Sequence, residues 1–133
     1  MNDAVIVDLD GTLCERSLDR ENRATNARPH PEIVQLVRAL WLLGWEVIIV
    51  SARLESEREA TLKWLAANLT FPPSLVLLRQ DPLTTDVDFK RLTYTALVTK
   101  HWNIRLVLED RASVVAMWRG LGLRCLQVAE GNF

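Results

Sequence analysis

Two aspartates one residue apart follow the first apolar run of the sequence, in the stretch AVIVDLDGTLCER at residues 4–16. Asp8 and Asp10 would repel each other there, and taking both carboxylates out of water costs free energy that a binding partner must offset. A metal ion or a phosphoryl group could be that partner, whereas a solvated turn would need none. The spacing therefore leaves three interpretations open, and two of them are chemical.

Polar side chains also follow two later apolar runs. Ser51 and Arg53 end the stretch EVIIVSAR, and Glu109, Asp110 and Arg111 end IRLVLEDR. The carboxyl ends of the strands are where open α/β sheets bind ligands. We therefore expect three acids or more, a hydroxyl and two arginines to converge on one edge of a sheet.

A lysine adds a positive charge to this set. Lys90 lies four residues after Asp86 on a predicted helix. Such a pair can be a surface ion pair that contributes only a few tenths of a kcal/mol. Alternatively, Asp86 directs Lys90 toward the acidic edge, where a phosphoryl group must be neutralised. Beside the other strand ends, we favour the second interpretation.

The apolar pattern predicts five strands that alternate with helices. The strands are predicted at residues 4–9, 46–51, 75–79, 104–110 and 124–129, and the helices from Pro31 to a C-cap at Gly44, at 55–68, at about 86–101 and over VVAMWRGLG. The strands are short and β-branched, which is typical of buried parallel strands. This alternation predicts one α/β domain over residues 1–133, with helices on both faces of a mostly parallel sheet.

Composition limits the possible function classes. The 133 residues carry a net charge of -1, so the molecule has no overall basic field that would attract nucleic acid or an anionic membrane. The two cysteines, Cys14 and Cys125, are far apart and predict neither a zinc site nor a disulfide, and they favour a cytoplasmic setting. The strand that directly follows Met1 predicts no signal peptide, and no apolar run approaches the ~20 residues of a membrane span.

The motifs together resemble a known superfamily. DLDGT after an apolar strand, Ser51, Lys90 and the pair Glu109-Asp110 are similar to the four signature motifs of the haloacid-dehalogenase (HAD) phosphohydrolases. VDLDGTL, IIVSAR, LEDR, AMWRGLG and CLQVAEGNF extend the resemblance over nearly the whole chain to the 3′-phosphatase domains of bacteriophage polynucleotide kinase/phosphatases. The resemblance implies a single Rossmann-like HAD domain with strand order 3-2-1-4-5. The short insertions after the first two motifs predict that it has no cap domain.

The resemblance also implies catalytic roles. Asp8 would attack the phosphorus and form an aspartyl-phosphate. Asp10 would protonate the leaving oxygen and then deprotonate the attacking water. Ser51 would donate a hydrogen bond to a phosphoryl oxygen, and Lys90 would stabilise the charge on the phosphoryl group.

A magnesium ion is implied by the same motifs. Mg²⁺ prefers oxygen ligands and would lie between Asp8, the backbone carbonyl of Asp10 and Asp110. The relatives usually carry two aspartates where this chain has Glu109-Asp110, so we expect Glu109, which is one methylene longer, to reach the metal through water. Further contacts with substrate are expected from three residues: Thr12, Arg53 and Asp86.

A site without a cap suits a large substrate, and the resemblance implies DNA or RNA ends that carry a 3′-phosphate. The segment ERSLDRENRATNAR at residues 15–28 is either a solvated loop or a grip on the phosphodiester backbone; its arginines are Arg16, Arg20, Arg23 and Arg28. The sequence contains no GxxxxGK[ST] string, so it resembles only the phosphatase half of the bifunctional relatives, and a separate kinase or ligase is a possible partner.

Other functions stay open at this point. A HAD nucleotidase or small-molecule phosphatase would use the same chemistry on a smaller substrate. Response-regulator receivers, which are not enzymes, also place acids, a hydroxyl and a lysine on a five-stranded sheet, although in a different order along the chain. A binding module that has lost catalysis is a third alternative. The choice between DNA and RNA and the oligomeric state are also open.

Overall fold

The computed structural model describes residues 1–17 and 25–133. Five strands form one parallel sheet in the order β3-β2-β1-β4-β5. Their bounds are β1 Asn2–Val7, β2 Glu46–Leu54, β3 Leu75–Arg79, β4 Trp102–Glu109 and β5 Cys125–Gln127. The predicted α/β class and the predicted strand order are both confirmed.

Helices cover both faces of this sheet. They are α1 Pro31–Leu42, a 3₁₀ turn at Glu55–Glu57, α2 Arg58–Asn68, α3 Asp86–Thr93, and α4 Ala112–Gly120. Because successive side chains of a strand point to opposite faces, β1 places Val5 and Val7 in a core with α1 and α2, and Ala4 and Ile6 in a core with α4. The site is therefore carried by a sheet that is packed on both sides.

The segment after α3 departs from regular helix. Residues Tyr94–Val98 form a π-helical turn, which Thr99–His101 follow as one α-helical turn. Lys90 before the turn and Val98 within it are both buried. The ring of Tyr94 meets Trp118 of α4 edge-on at 5.9 Å. The predicted helix over about 86–101 is thus present with one internal irregularity.

Strand ends differ from the sequence pattern by a few residues. β1 ends at Val7, before both aspartates, and β2 continues past Ser51 to Leu54. Between Ser51 and Leu54 the register of β2 against β3 shifts, as it does at a β-bulge. Arg53 consequently belongs to the strand rather than to the loop after it.

The described connections are short. Between β2 and β3 the chain forms only the 3₁₀ turn, α2 and a short loop. Of the arginines in the loop after β1, Arg20 and Arg23 lie outside the described residues. Within residues 1–17 and 25–133, no helix has the length and apolar character that crossing a membrane requires.

Candidate active site

The carboxyl ends of β1, β2 and β4 meet around one cavity of about 320 Å³. Its lining includes side chains from these strand ends, from α3 and from the loop after β1: Asp8, Asp10, Arg16, Ser51, Arg53, Arg79, Asp86 and Arg111. The loop turns tightly, since the backbone N–H groups of Thr12, Leu13 and Cys14 all donate to the Leu9 carbonyl. Asp8 and Asp10 are thereby held at the position that the sequence predicts.

Gly11 allows this loop to approach β4. Its φ is +84°, and a Cβ atom at this position would lie 2.2 Å from Asp110 Oδ2. Both the backbone conformation and the contact exclude a side chain. The glycine of the DLDGT stretch is therefore needed to bring the first aspartate pair against the last acidic pair.

Lys90 lies at the centre of the acidic groups. Its Nζ is 3.0 Å from Asp8 Oδ1, 2.8 Å from Glu109 Oε2 and 3.3 Å from Asp86 Oδ1, and the residue is 1% exposed. Helix α3 positions it, because Thr85 caps the helix by accepting from the Asp88 N–H and thereby fixes where the first turn begins. The Asp86–Lys90 pair is thus part of the site and not a surface ion pair.

In this cluster the pKa values of both Asp8 and Lys90 are raised. Burial, with the nearby charge of Glu109, raises the pKa of Asp8 well above its usual range, and Lys90 counteracts this. Burial alone would lower the pKa of Lys90, but the charges of Asp8, Glu109 and Asp86 outweigh it and raise that pKa. Lys90 is therefore a permanent cation beside Asp8, as phosphoryl transfer requires.

Both carboxylate oxygens of Glu109 accept hydrogen bonds from other groups of the protein. One carboxylate oxygen accepts from Lys90, and the other accepts from the backbone N–H groups of Asp110 and Arg111 at 3.2 and 3.3 Å. Its carboxylate is also one of three that come within 4.8 Å of one another, together with those of Asp8 and Asp110. Its contacts make it chiefly the partner of Lys90.

The oxygens around Asp110 fit a divalent cation. Carboxylate oxygens are the ligands that Mg²⁺ prefers, and the Arg16 guanidinium already lies 2.9 Å from Asp110 Oδ2 and 3.4 Å from the Asp10 carbonyl. Burial would raise the pKa of Asp110, but the hydrogen bonds that involve Arg16, Asp8 and Glu109, together with the charge of Arg16, outweigh it and lower that pKa. Asp8, Asp110 and the Asp10 carbonyl are thus the groups that could hold the ion.

Arg53 lines the cavity and is paired with Asp10. Its guanidinium donates to both carboxylate oxygens of Asp10, at 2.9 and 2.7 Å, and to Thr61 Oγ1 at 3.1 Å. The side chain is fully buried, and a buried guanidinium needs such a carboxylate partner. In this structure Arg53 therefore orients Asp10, and its contact with substrate stays a prediction.

Thr12 and Ser51 also point to neighbouring protein groups. Thr12 Oγ1 is fully buried at 3.4 Å from both Asp8 Oδ2 and Asp110 Oδ1. Thr12 thus bridges the two acids, and its contact with substrate stays a prediction. Ser51 Oγ accepts from the Arg53 N–H at 3.1 Å and lines the cavity, where a phosphoryl oxygen could reach it.

Three further arginines line the cavity, and no definite role could be predicted for them from the sequence: Arg16, Arg79 and Arg111. Arg111 Nε lies 3.3 Å from Asp86 Oδ2, and Arg16 pairs with Asp110. Arg111 was expected at this edge of the sheet without a stated role, and Arg16 was one of several loop arginines. No local periodicity could separate either from a solvated cation.

Comparison with known proteins agrees with this geometry. A family model described as the polynucleotide kinase PNKP phosphatase domain matches residues 2–133. A chain of the Pnkp1/Rnl/Hen1 RNA repair complex shares 30% identity at a TM-score of 0.91, covering 99% of this chain and 44% of that one. A second Pnkp1/Rnl/Hen1 structure matches at 30% identity and a TM-score of 0.92, over 100% and 48%.

This chain thus spans less than half the length of these two matched chains. D,D-heptose 1.7-bisphosphate phosphatase from B. bronchiseptica shares the fold at 12% identity, with a TM-score of 0.69 over 94% of this chain and 79% of that one. With a family match over residues 2–133, the protein belongs to the PNKP phosphatase-domain family and is a HAD-type phosphatase domain.

Proposed function

We propose that the protein removes the 3′-phosphate from nucleic-acid ends through an aspartyl-phosphate intermediate and that it requires Mg²⁺. The observation that carries this proposal is the buried contact between Asp8 and Lys90, with Asp10 two residues further on, in a chain of this family. A buried carboxylate with a lysine at 3.0 Å can attack phosphorus while the lysine neutralises the phosphoryl oxygens.

The reaction uses the two aspartates in turn. An Asp8 oxygen forms a bond to phosphorus as the bond to the 3′-oxygen breaks, and Asp10 gives that oxygen its proton. Asp10 then takes a proton from water, whose oxygen attacks the phosphorus and releases inorganic phosphate from Asp8. Asp8, Asp110 and the Asp10 carbonyl would hold Mg²⁺, which would supply charge neutralisation at the phosphoryl oxygens.

The substrate assignment rests on the open cavity and on the family. The arginines Arg16 and Arg111 line the cavity, so the strand that leads to the 3′-phosphate would meet two positive groups. The two matched chains come from structures of a Pnkp1/Rnl/Hen1 complex, one of which is described as an RNA repair complex. A separate repair enzyme, a kinase or a ligase, would act on the same ends in a cytoplasmic setting.

Phosphate release from matched substrates tests the proposal. A 3′-phosphorylated oligonucleotide is compared with the same strand phosphorylated at its 5′ end, with a 3′-mononucleotide and with a sugar phosphate, and Asp8→Asn is the inactive control. We expect the 3′-phosphorylated strand to have the highest kcat/KM. If a mononucleotide or a sugar phosphate is better by about tenfold, equivalent to ~1.4 kcal/mol of transition-state binding, the protein is a small-molecule phosphatase.

A further inference from the structure

Residues 130–133 fold back onto the active site. The carbonyl of Gly131 accepts from the Ala112 N–H at 2.7 Å, and the carbonyl of Phe133 accepts from the N–H and the hydroxyl of Ser113, each at 3.0 Å. These carbonyls satisfy N–H groups that the first turn of α4 leaves without helical partners. A Cβ atom on Gly131 would lie 2.5 Å from the Asp110 carbonyl, so this backbone packs directly against the acidic pair.

This backbone places the Phe133 ring against two guanidinium groups. Arg16 Cζ lies 4.6 Å from the ring centroid and Arg111 Cζ lies 4.4 Å from it. The two arginines come from distant parts of the chain, one from the loop after β1 and the other from the residue before α4. The face of an aromatic ring attracts cations, and Phe133 therefore holds both arginines at one place.

The other contacts of these arginines connect the ring to the site. Arg16 reaches Asp110, and Arg111 approaches Asp86, which itself lies beside Lys90. Among the described residues, Arg111 Nε is buried without a hydrogen bond of good geometry, although it is 3.3 Å from the Asp86 carboxylate. Charge and stacking on the ring therefore fix this guanidinium more than directional bonds do.

We infer that Phe133 is a positioning residue that presents Arg16 and Arg111 as a pair to the phosphodiester next to the 3′-phosphate. The ring covers only the face of each guanidinium, so the N–H groups that Arg16 and Arg111 do not direct at Asp110 and Asp86 can bond phosphate oxygens. The identity of this ligand rests on the proposed function. The contact of the Phe133 ring with the two guanidinium groups is independent of the proposed function.

Three variants of the full chain test the inference by kinetics. Phe133→Leu keeps an apolar side chain but removes the aromatic face, and Phe133→Tyr restores it. Leu126→Ala is the matched control, because Leu126 is 44% exposed where Phe133 is 46% exposed. For a 3′-phosphorylated oligonucleotide we expect Phe133→Leu to raise KM about fivefold or more, beyond any fall in kcat. The tyrosine and Leu126 variants should stay close to wild type.

A second measurement does not depend on activity. The side-chain Nε–Hε signals of Arg16 and Arg111, assigned by NMR with Arg16→Lys and Arg111→Lys, should carry ring-current shifts in the wild type that Phe133→Leu removes. Unchanged KM in Phe133→Leu would overturn the positioning role, whatever the signals do. An equal rise in KM in Leu126→Ala would overturn it also, since the effect would then be general.

Different results would refute the proposed function and the positioning role of Phe133. If the wild type does not release phosphate from the 3′-phosphorylated strand, the proposed function is wrong, and the arginine signals still report whether the ring holds both groups. If the wild type is active on this strand and the signals do not change in Phe133→Leu, the inference is wrong and the proposed function stands.

Discussion

At the scale of single residues, the site depends on how one lysine balances several acids. Lys90 lies within 3.3 Å of carboxylate oxygens of Asp8, Asp86 and Glu109, and it is buried with Asp8 and Glu109. Burying charges costs free energy that only good pairing offsets, and removal of one partner leaves the others uncompensated. The same contact that serves the chemistry is therefore needed for the fold.

Lys90→Met should remove activity and lower the free energy of unfolding by about 3 kcal/mol at neutral pH. In the wild type the pKa of Lys90 is raised, so its stabilisation is complete below the ordinary lysine pKa and is lost only as pH rises through the higher folded value. In Lys90→Met the carboxylates of Asp8, Asp86 and Glu109 lack the positive charge of the lysine. At low pH these carboxylates become protonated and neutral, so they no longer need a cation. The stability deficit should therefore shrink as pH falls.

Urea unfolding with EDTA present, from pH 4 to pH 8, measures this dependence. Lys63→Met is the matched control, because Lys63 forms an exposed pair with Glu59. If the difference in unfolding free energy between wild type and Lys90→Met stays constant over this pH range, the charge of Lys90 does not compensate those of the carboxylates as described.

Arg53→Lys should lower kcat on p-nitrophenyl phosphate and on an oligonucleotide by similar factors. The reason is that Arg53 touches Asp10 and Thr61 inside the protein, so its loss misplaces the acid–base group for every substrate. Steady-state kinetics on both substrates provides the check. A penalty confined to KM for the oligonucleotide would instead favour the substrate-binding role that the sequence suggested.

The two members of the last acidic pair should differ in metal dependence. Asp110→Ala should raise the Mg²⁺ concentration needed for the half-maximal rate, because Asp110 meets Arg16 where a cation fits. Glu109→Gln should instead lower kcat with a smaller change in Mg²⁺ requirement, since Glu109 bonds Lys90. Rates measured after EDTA treatment and Mg²⁺ titration test this. Equal shifts in Mg²⁺ requirement would contradict the separation of roles.

At the scale of elements, the loop after β1 and the end of β4 must fit closely. Gly11→Ala would place a methyl group against Asp110 at a positive φ, and we expect a loss of about 1–3 kcal/mol in unfolding free energy together with most of the activity. Gly120→Ala is the control, because a Cβ at the end of α4 meets no atom within 4 Å. Thermal unfolding and phosphate release compare the two. Equal stability of the two variants would contradict the close fit.

The sequence predicted the elements better than the contacts among side chains. Asp8, Asp10, Ser51 and the acidic pair follow apolar strands, so parallel topology alone brings them to one edge. The pairing of Arg53 with Asp10 depends on a shift of register within β2, which no apolar pattern reports. Contacts of this kind follow from packing between remote segments, which local sequence does not encode.

At the scale of the whole molecule, the net charge of -1 gives no general attraction for a polyanion. Positive groups near the cavity must therefore carry any contact with a nucleic-acid strand. Such contacts are screened by salt, whereas the buried Asp8–Lys90 contact is screened much less. Added salt should therefore weaken binding of the nucleic-acid strand more than it affects the chemical step.

Raising the salt concentration should increase KM for a 3′-phosphorylated oligonucleotide more steeply than KM for a 3′-mononucleotide. The slope of log KM against log salt, measured for both at constant Mg²⁺, gives the comparison. Arg91→Gln is the control, because Arg91 pairs with Asp88 on an exposed part of α3 and should leave both slopes unchanged. Parallel slopes for the two substrates would show that the strand makes no ionic contact beyond its terminal phosphate.

The π-helical turn at Tyr94–Val98 contains one residue more than an α-helical turn would, and the loss of that residue can be tolerated. In an uninterrupted α-helix, residues eight apart such as Lys90 and Val98 would point about 80° apart, and the extra residue of the turn reduces this to about 20°. Loss of the exposed Thr95 or Ala96 would restore α-helical phase and leave both buried side chains on one face. The turn is thus a point where a one-residue deletion can be accommodated without rotating Lys90 away from Asp8.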